Sequence, residues 1–298
     1  MSSVLLNNLV DQIHSLPTLP TTFSRVNTLI QRPNTGAGDL AEVISDDQVL
    51  TARLLKLVNS AFYGFGGKIK TVSNAIMVLG FKSIKSLVLT SSVLDLFKSK
   101  DSNPYFDLQS FWIHSLSVAV ACRVLAKHMK QDDPEEWFVA GLLHDIGKLV
   151  HHQYLSARFA TALKLAFERK QHIHEVEKET LGFSHCETGR MLAERWKLPE
   201  ELLEPIACHH EPETAAKSPL LTAAVHVGDI LARALELGKP GDPIVPRLSP
   251  EAWNRLNIPP KAVEGILRTI HSQAEEAQQL LLVSVPLVSV KAPTNEKK

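Results

Sequence analysis

Apolar residues recur at intervals of three and four along almost the whole chain, and this periodicity limits the fold more than any other feature. Alternation of apolar and polar residues, typical of half-buried strands, is confined to the segment Leu282 to Val290. Because a period near 3.6 places apolar side chains on one face of a helix, the sequence predicts an all-α protein. Helices are expected at residues 3–15, 20–31, 38–45, 47–60, 73–79, 81–98, 107–130, 134–150, 155–170, 173–180, 185–196, 199–209, 218–237, 249–256 and 259–281.

Capping residues support several of these helix boundaries. Asp133, Pro134 and Glu136 match the N-cap, first and third positions of a helix. Ser184 and Glu187 have the spacing of a capping box, in which each side chain bonds to the other residue's backbone. Glycine tolerates the backbone conformations of helix ends and allows close approach of two helices. We expect such a role at Gly80, Gly147 and Gly238.

The chain has 298 residues, of which 44% are hydrophobic, enough for a substantial core. The polar, turn-rich segment Lys98 to Pro104 is the best candidate boundary between two helical bundles. We therefore predict an N-terminal bundle over 1–103, packed against a second bundle over 104–237. A helical extension over 238–284 begins with the loop Gly238 to Pro250, and residues 285–298 form a tail.

Charge and cysteine content exclude several classes of protein. Lys+Arg and Asp+Glu number 32 each, so no net charge attracts nucleic acid or an anionic membrane. Lys68, Lys70, Lys82 and Lys85 are therefore interpreted as a solvated face. The first residues lack the features of an export signal, and no run of 18 apolar residues predicts a membrane span. Three cysteines without a CxxC motif argue against disulfides. We expect a cytoplasmic protein.

The pair His144 and Asp145 interrupts an apolar helical stretch, GLLHDIGKL. Burying two ionisable groups costs several kcal/mol unless a metal or a hydrogen-bond network compensates them. Imidazole nitrogens and carboxylate oxygens are ligands for Fe, Mn, Zn and similar divalent ions. Further polar residues lie in similar apolar surroundings. They are His114, His185, His209, His210 and Asp229.

Each of these residues taken alone fits an ordinary core or capping role. Ser184 as N-cap would place His185 in the first turn of its helix. His209 and His210 end a helix, and their side chains could serve two neighbouring ions or one ion and a substrate. Cys186 and Cys208 adjoin histidines but are interpreted as small buried hydrophobic residues. The joint occurrence of the polar residues is what indicates a metal site.

The order of these residues resembles the metal-ligand series of HD-type phosphohydrolases, H…HD…H…HH…D, and in particular that of HD-GYP phosphodiesterases. The chain as a whole more closely resembles the HDOD family of bacterial signalling proteins, over residues 15–235. Many HDOD relatives have lost metal ligands that this chain keeps. The segments that carry the likeness are Leu16 to Val26, Ile44 to Gly64, Ala75 to Leu89, FWIHS, GLLHDIGKL, GFSHCETG and WKLPE.

The resemblance implies an HD-type helical bundle that holds divalent metal. Two ions are expected, with Fe or Mn favoured and Zn or Ni as alternatives. No GYP loop follows His210, which argues against guanine-dinucleotide recognition. Ser110 occupies the position of a glutamate that trinuclear relatives use, which argues against a third ion. The implied metal ligands are His114, His144, Asp145, His185, His209, His210 and Asp229.

Two functions follow from the resemblance. The favoured one is a regulatory or scaffold module that keeps its metal site and binds a signalling protein. The alternative is a metal-dependent phosphohydrolase acting on a phosphate-containing small molecule, with Asp145 and Lys148 as catalytic residues. In that case Lys148 would neutralise charge developing on the phosphoryl group. Glu187 and Glu211 are the candidates for orienting the ligand imidazoles.

Overall fold

The computed structural model describes residues 16–60, 62–97 and 103–284, with side chains described as far as residue 278. No β-strand occurs within these ranges, and the all-α prediction is confirmed. A short 3₁₀ turn spans Pro212–Thr214. The helices are α1 (Thr21–Ile30), α2 (Ala37–Ser45), α3 (Gln48–Val58), α4 (Val72–Leu96), α5 (Leu108–His128), α6 (Pro134–Leu143), α7 (Ile146–Tyr154), α8 (Ser156–Arg169), α9 (Ile173–Thr180), α10 (His185–Arg195), α11 (Glu200–Cys208), α12 (Pro219–Ala234), α13 (Pro250–Leu256) and α14 (Pro260–Ser284).

The helix boundaries agree with the predicted caps. The Asp133 carboxylate accepts a hydrogen bond from the Glu136 N–H at 3.2 Å. The Glu187 carboxylate accepts one from the Ser184 N–H at 2.7 Å, which completes the capping box before α10. Gly80 has φ 79° and ψ 166°, so the helical segments predicted on either side of it meet at a kink within α4. The predicted helix 3–15 and tail 285–298 lie outside the described residues.

The prediction of one helix over residues 134–150 is wrong. Helix α6 ends at Leu143 and α7 begins at Ile146, and Asp145 between them has φ −101° and ψ 12°. Gly147, just after the break, packs against the start of α10 so closely that an added Cβ would lie 1.9 Å from the His185 backbone oxygen. The break therefore accompanies a backbone-to-backbone contact that periodicity alone does not reveal.

Helix α5 runs through the centre of the protein and packs against α6, α12 and α14. Most buried apolar residues form one cluster that extends from Leu16 to Ala277, and Leu181 and Phe183 form a second, small one. Helices α4 and α5 are long and apolar enough to span a bilayer by composition. However, 56% and 78% of their most apolar windows are buried inside the protein, so internal packing accounts for their composition. The domain boundary near residue 103 stays a prediction.

Arg123 on α5 joins the N-terminal helices to the rest of the protein. Its side chain is 4% exposed, and its guanidinium carbon lies 3.8 Å from the ring centroid of Phe62. The same guanidinium lies 3.6 Å from the Glu135 carboxylate at the start of α6 and bonds to the Gln273 amide oxygen on α14 at 3.4 Å. One buried cation thus connects three parts of the fold through cation–π and ionic contacts.

Candidate metal centre

The turn between α6 and α7 places His144 and Asp145 inside the protein, with 0% and 1% exposure. The His144 Nδ1–H donates to the Gly141 carbonyl at 2.8 Å, which directs Nε2 away from its own helix. Asp145 accepts a hydrogen bond from the Lys148 ammonium at 2.6 Å through Oδ2. Its other oxygen, Oδ1, has no hydrogen-bond partner among the described residues.

Histidines from three elements surround the Asp145 carboxylate. His185 Nε2 on α10 lies 3.1 Å from Oδ1, and His209 Nε2 at the end of α11 lies 3.5 Å from the same oxygen. His144 Nε2 lies 3.4 Å from Oδ2. His210 Nε2 lies 3.2 Å from His185 Nε2. The rings of His209 and His210 are 4.2 Å apart, so this adjacent pair faces one common region.

The deepest part of the cluster joins α5 to α12. His114 Nε2 lies 3.1 Å from Asp229 Oδ1, and both side chains are buried. Arg233, one turn after Asp229, donates its Nε–H to the same oxygen at 2.8 Å. The structure therefore brings together all seven residues of the predicted ligand series, although whether they bind metal stays a prediction.

The donor atoms fall into three overlapping groups, within each of which they lie no more than 4.8 Å apart. The inner set comprises His114, His144 and Asp229. A middle set comprises His144, Asp145 and His209, and so shares residues with both others. The outer set, which includes the half-buried His210, comprises His185, Cys186, His209 and His210.

The unpaired donor atoms fit a divalent cation. His144 Nε2, His209 Nε2 and both ring nitrogens of His114 have no hydrogen-bond partner among the described residues, as is also true of Asp145 Oδ1. Leaving one buried polar atom unsatisfied costs about 1–3 kcal/mol. Imidazole nitrogens and a carboxylate oxygen facing a common region are the ligands that first-row divalent metals prefer.

Local electrostatics keep His114, His209 and Asp145 in the protonation state that binds metal. For His185 the net effect is opposite, because burial lowers its pKa but the Glu177 carboxylate raises it by more. Burial lowers the pKa of His114 and of His209 to about 4, so both imidazoles are neutral near neutral pH. Burial raises the pKa of Asp145, but the adjacent Lys148 and His144 lower it by more. The pKa of this carboxyl is therefore well below its usual range. A neutral imidazole and an ionised carboxylate are both electron-pair donors.

Glu177 on α9, which sequence reasoning missed, orients His185. Its Oε2 accepts hydrogen bonds from the His185 N–H at 2.8 Å and from the ring Nδ1–H at 2.6 Å. Its Oε1 accepts from His151 Nδ1 at 3.0 Å, and His151 Nε2 bonds to the Thr188 hydroxyl at 2.8 Å. Burial raises the pKa of Glu177, but the imidazoles of His185 and His151 lower it by more, so the net pKa is below its usual range. A carboxylate that fixes the ring of a ligand histidine is a recurrent feature of metal sites.

The predicted orienting residues Glu187 and Glu211 make no hydrogen bond or ion pair with the imidazoles of the predicted ligands. Glu187 is exposed and is used by the capping box, whereas Glu211 is exposed and lies 3.8 Å from Lys178. The sequence signal for Glu177 was its position four residues after Ile173, on the buried face of α9. A charged residue at a buried helical position requires a partner. Glu177 was therefore a better candidate for orienting an imidazole than the exposed Glu187 or Glu211.

A row of histidines extends from the outer set toward the surface. The His210 and His174 rings stack at a centroid distance of 4.1 Å, and the His174 and His172 rings at 5.6 Å. The Asp242 carboxylate, with no exposed side-chain surface, lies 3.8 Å from His172 Nδ1 and 3.5 Å from an Arg233 nitrogen. His172, His174 and Asp242 were not among the predicted site residues. Asp242 lies on a loop without helical periodicity, whereas His172 and His174 lie at the start of α9.

The sequence profile of the HDOD domain matches residues 16–212, more than half of the chain. The chain belongs to the HDOD family. This HDOD chain is 27% identical to an HDOD domain protein of unknown function from Geobacter sulfurreducens. The crystal structure of that protein matches with a TM-score of 0.79 and covers 95% of this chain and 98% of its own.

Two further relatives are similar to this HDOD chain. A Shewanella amazonensis protein named as a candidate phosphohydrolase is 26% identical, with a TM-score of 0.73 and 92% of this chain and 97% of that chain covered. An uncharacterised Treponema pallidum protein is 26% identical over 231 residues, or 77% of this chain and 44% of the relative. The HDOD chain thus spans less than half the length of that curated relative. The predicted HDOD likeness and HD-type fold are confirmed.

Proposed function

We propose that this HDOD chain is a bacterial signal-transduction protein that acts as a regulatory or scaffold module and keeps an HD-type metal site. The observation that carries the proposal is the burial of donor atoms on His144, Asp145 and His209 that have no hydrogen-bond partner in the described part of the chain. Lys148 supports a non-catalytic role, because it is fully buried and its ammonium is bonded to Asp145. A lysine in that position neutralises the carboxylate rather than facing an incoming phosphate.

Two divalent ions match the arrangement of the ligand sets. His114, His144 and Asp229 would hold the inner ion, His185, His209 and His210 the outer ion, and Asp145 lies between them. Fe or Mn is favoured on the family resemblance, with Zn and Ni as alternatives. The ions would supply positive charge to the buried carboxylates and, in a hydrolase, Lewis acidity.

Metal occupancy provides a way to regulate the fold. The ligands come from α5, the α6–α7 turn, α10, the end of α11 and α12, so bound metal would connect five parts of the protein. Ligands that bind only the folded state stabilise it by mass action. In the proposed role, the metal-stabilised bundle presents its surface to a signalling protein in the bacterial cytoplasm.

The alternative is a metal-dependent phosphohydrolase. The half-buried His210 and the stacked His174 favour it, because they extend from the buried donors toward the surface and offer polar groups to a small anion. Asp145 would then hold the ions beside the phosphate, and Lys148 would release its bond to Asp145 and neutralise charge on the phosphoryl oxygens. The similar Shewanella protein, named as a candidate phosphohydrolase, adds support.

Elemental analysis of the purified protein, followed by activity assays of metal-loaded protein, separates these functions. The substrates are cyclic di-GMP, cyclic AMP and an aryl phosphate. The test variant is His144→Ala, and the matched control is His128→Ala, at an exposed position on the end of α5. Bound metal without turnover supports the regulatory module. Turnover that His144→Ala abolishes and His128→Ala retains supports the hydrolase. Protein that binds no divalent metal refutes both.

A further inference from the structure

Cys186 is a donor that the HD-type ligand series does not include. It directly follows His185 in the first turn of α10 and is 6% exposed. One potential ligand atom from each of His185, Cys186, His209 and His210 lies within 4.8 Å of the others. His209 belongs to the same group. This residue is 1% exposed, and its Nε2 has no hydrogen-bond partner among the described residues.

We infer that Cys186 is a thiolate ligand of the outer ion, together with His185, His209 and His210, and that this outer site therefore selects a zinc-like ion. The inference rests on the proposed metal-binding function and refines it. The thiol proton would be released to solvent when the sulfur–metal bond forms, as in other cysteine metal sites.

The two ligand sets differ in chemical hardness. The inner set offers two imidazoles and the Asp229 carboxylate, a combination that accepts Fe or Mn as well as Zn. The outer set offers three imidazoles and a sulfur, and sulfur ligands favour Zn²⁺ over Mn²⁺ or Mg²⁺. The structure therefore indicates two sites with different metal preferences within one cluster.

The number of outer donors also bears on function. Structural Zn²⁺ sites are closed by four protein ligands, whereas catalytic sites have three and keep a position open for water or substrate. An outer ion held by His185, Cys186, His209 and His210 would have its coordination filled by protein. This arrangement suits the regulatory module better than the hydrolase.

Cobalt substitution tests the role of Cys186. The full chain is stripped of metal and titrated with Co²⁺ without oxygen, and Cys186→Ser is compared with Cys208→Ser. Cys208 is a matched control, because it is a free cysteine beside His209 that is not in the outer set. We expect a near-ultraviolet sulfur-to-cobalt charge-transfer band in the wild type and in Cys208→Ser but not in Cys186→Ser. Losing a residue that only hydrogen-bonds to a metal ligand typically lowers metal affinity about 10–100-fold. The zinc affinity of Cys186→Ser should fall by more than this, because a ligand itself is lost.

Other outcomes have distinct meanings. Visible cobalt absorption without the charge-transfer band in the wild type would refute the Cys186 inference and leave the metal site intact. An unchanged band in Cys186→Ser would refute it as well. No cobalt or zinc binding by the wild type would overturn the proposed function itself. If Cys186→Ser does not fold, zinc X-ray absorption of the wild type decides, since a sulfur ligand at about 2.3 Å is distinct from nitrogen at about 2.0–2.1 Å.

Discussion

Replacing Glu177 with glutamine tests whether this buried carboxylate organises the metal centre. The substitution preserves shape but removes the charge that accepts hydrogen bonds from His185 and His151. A hydrogen bond to a charged group contributes about 1.5–3 kcal/mol, against about 0.5–1.5 kcal/mol for a neutral one. The amide oxygen can keep the two bonds to His185 at a loss of about 1 kcal/mol each.

The third hydrogen bond carries a larger penalty. The amide N–H₂ would face the His151 Nδ1–H, and two opposed donors leave buried groups unsatisfied at a cost of about 1–3 kcal/mol. The total of about 3–5 kcal/mol matches the usual cost of breaking a buried ion pair. For a protein of this size the melting temperature should fall by roughly 10 °C.

Two measurements on metal-free and metal-loaded protein check this prediction. Thermal unfolding followed by circular dichroism gives the loss of stability, and a competition assay gives zinc affinity, which should weaken by about 10–100-fold. The matched control is Glu187→Gln, which changes an exposed capping residue near the same helix start and should leave zinc affinity unchanged. Wild-type affinity and melting temperature in Glu177→Gln would refute the role assigned to this carboxylate.

Three further predictions concern backbone packing, acid stability and the ionic contact of Arg123. Gly147→Ala would place a Cβ 1.9 Å from the His185 backbone oxygen, so we expect at least about 1–3 kcal/mol of destabilisation and weaker zinc binding in the same two assays. Burial raises the pKa of Glu204, but hydrogen bonds from the backbone N–H groups of residues 216–218 lower it by more, so the net pKa is lowered. A carboxyl with a lowered folded-state pKa contributes stability above its ordinary pKa that is lost as the pH falls, so Glu204→Gln should flatten the acid side of a urea-unfolding pH profile. Arg123→Met removes the cation beside the half-buried Glu135 carboxylate and should cost about 1–3 kcal/mol in urea unfolding, and an unchanged midpoint would contradict the role assigned to this contact.

Local sequence patterns were sufficient for most of the helices and for finding the polar residues that the structure brings together. Helical periodicity and caps such as Asp133 act over a few residues, so they can be read without the tertiary structure. A polar residue within an apolar face, such as His114 or Asp229, also identifies itself locally, because burial without compensation is unfavourable. The resemblance to HD-type proteins supplied the grouping of these residues into one site.

Long-range packing decided the remaining features. The helix break at Asp145 accompanies the contact between Gly147 and the start of α10. The glycine itself predicted a helix end or a close approach, but no local signal identifies a partner so distant in sequence. For the same reason Glu187, which adjoins His185 in sequence, was favoured over Glu177, which adjoins it in space.

The amino-acid sequence by itself determined that the chain is helical and which polar residues need partners, because both depend on short-range periodicity and on the cost of burial. Only the tertiary structure decided which partners they have. In the described part of the chain it left Asp145 Oδ1 and His209 Nε2 without hydrogen-bond partners and brought His209 near Cys186, since the direction of a side chain depends on how separate helices pack.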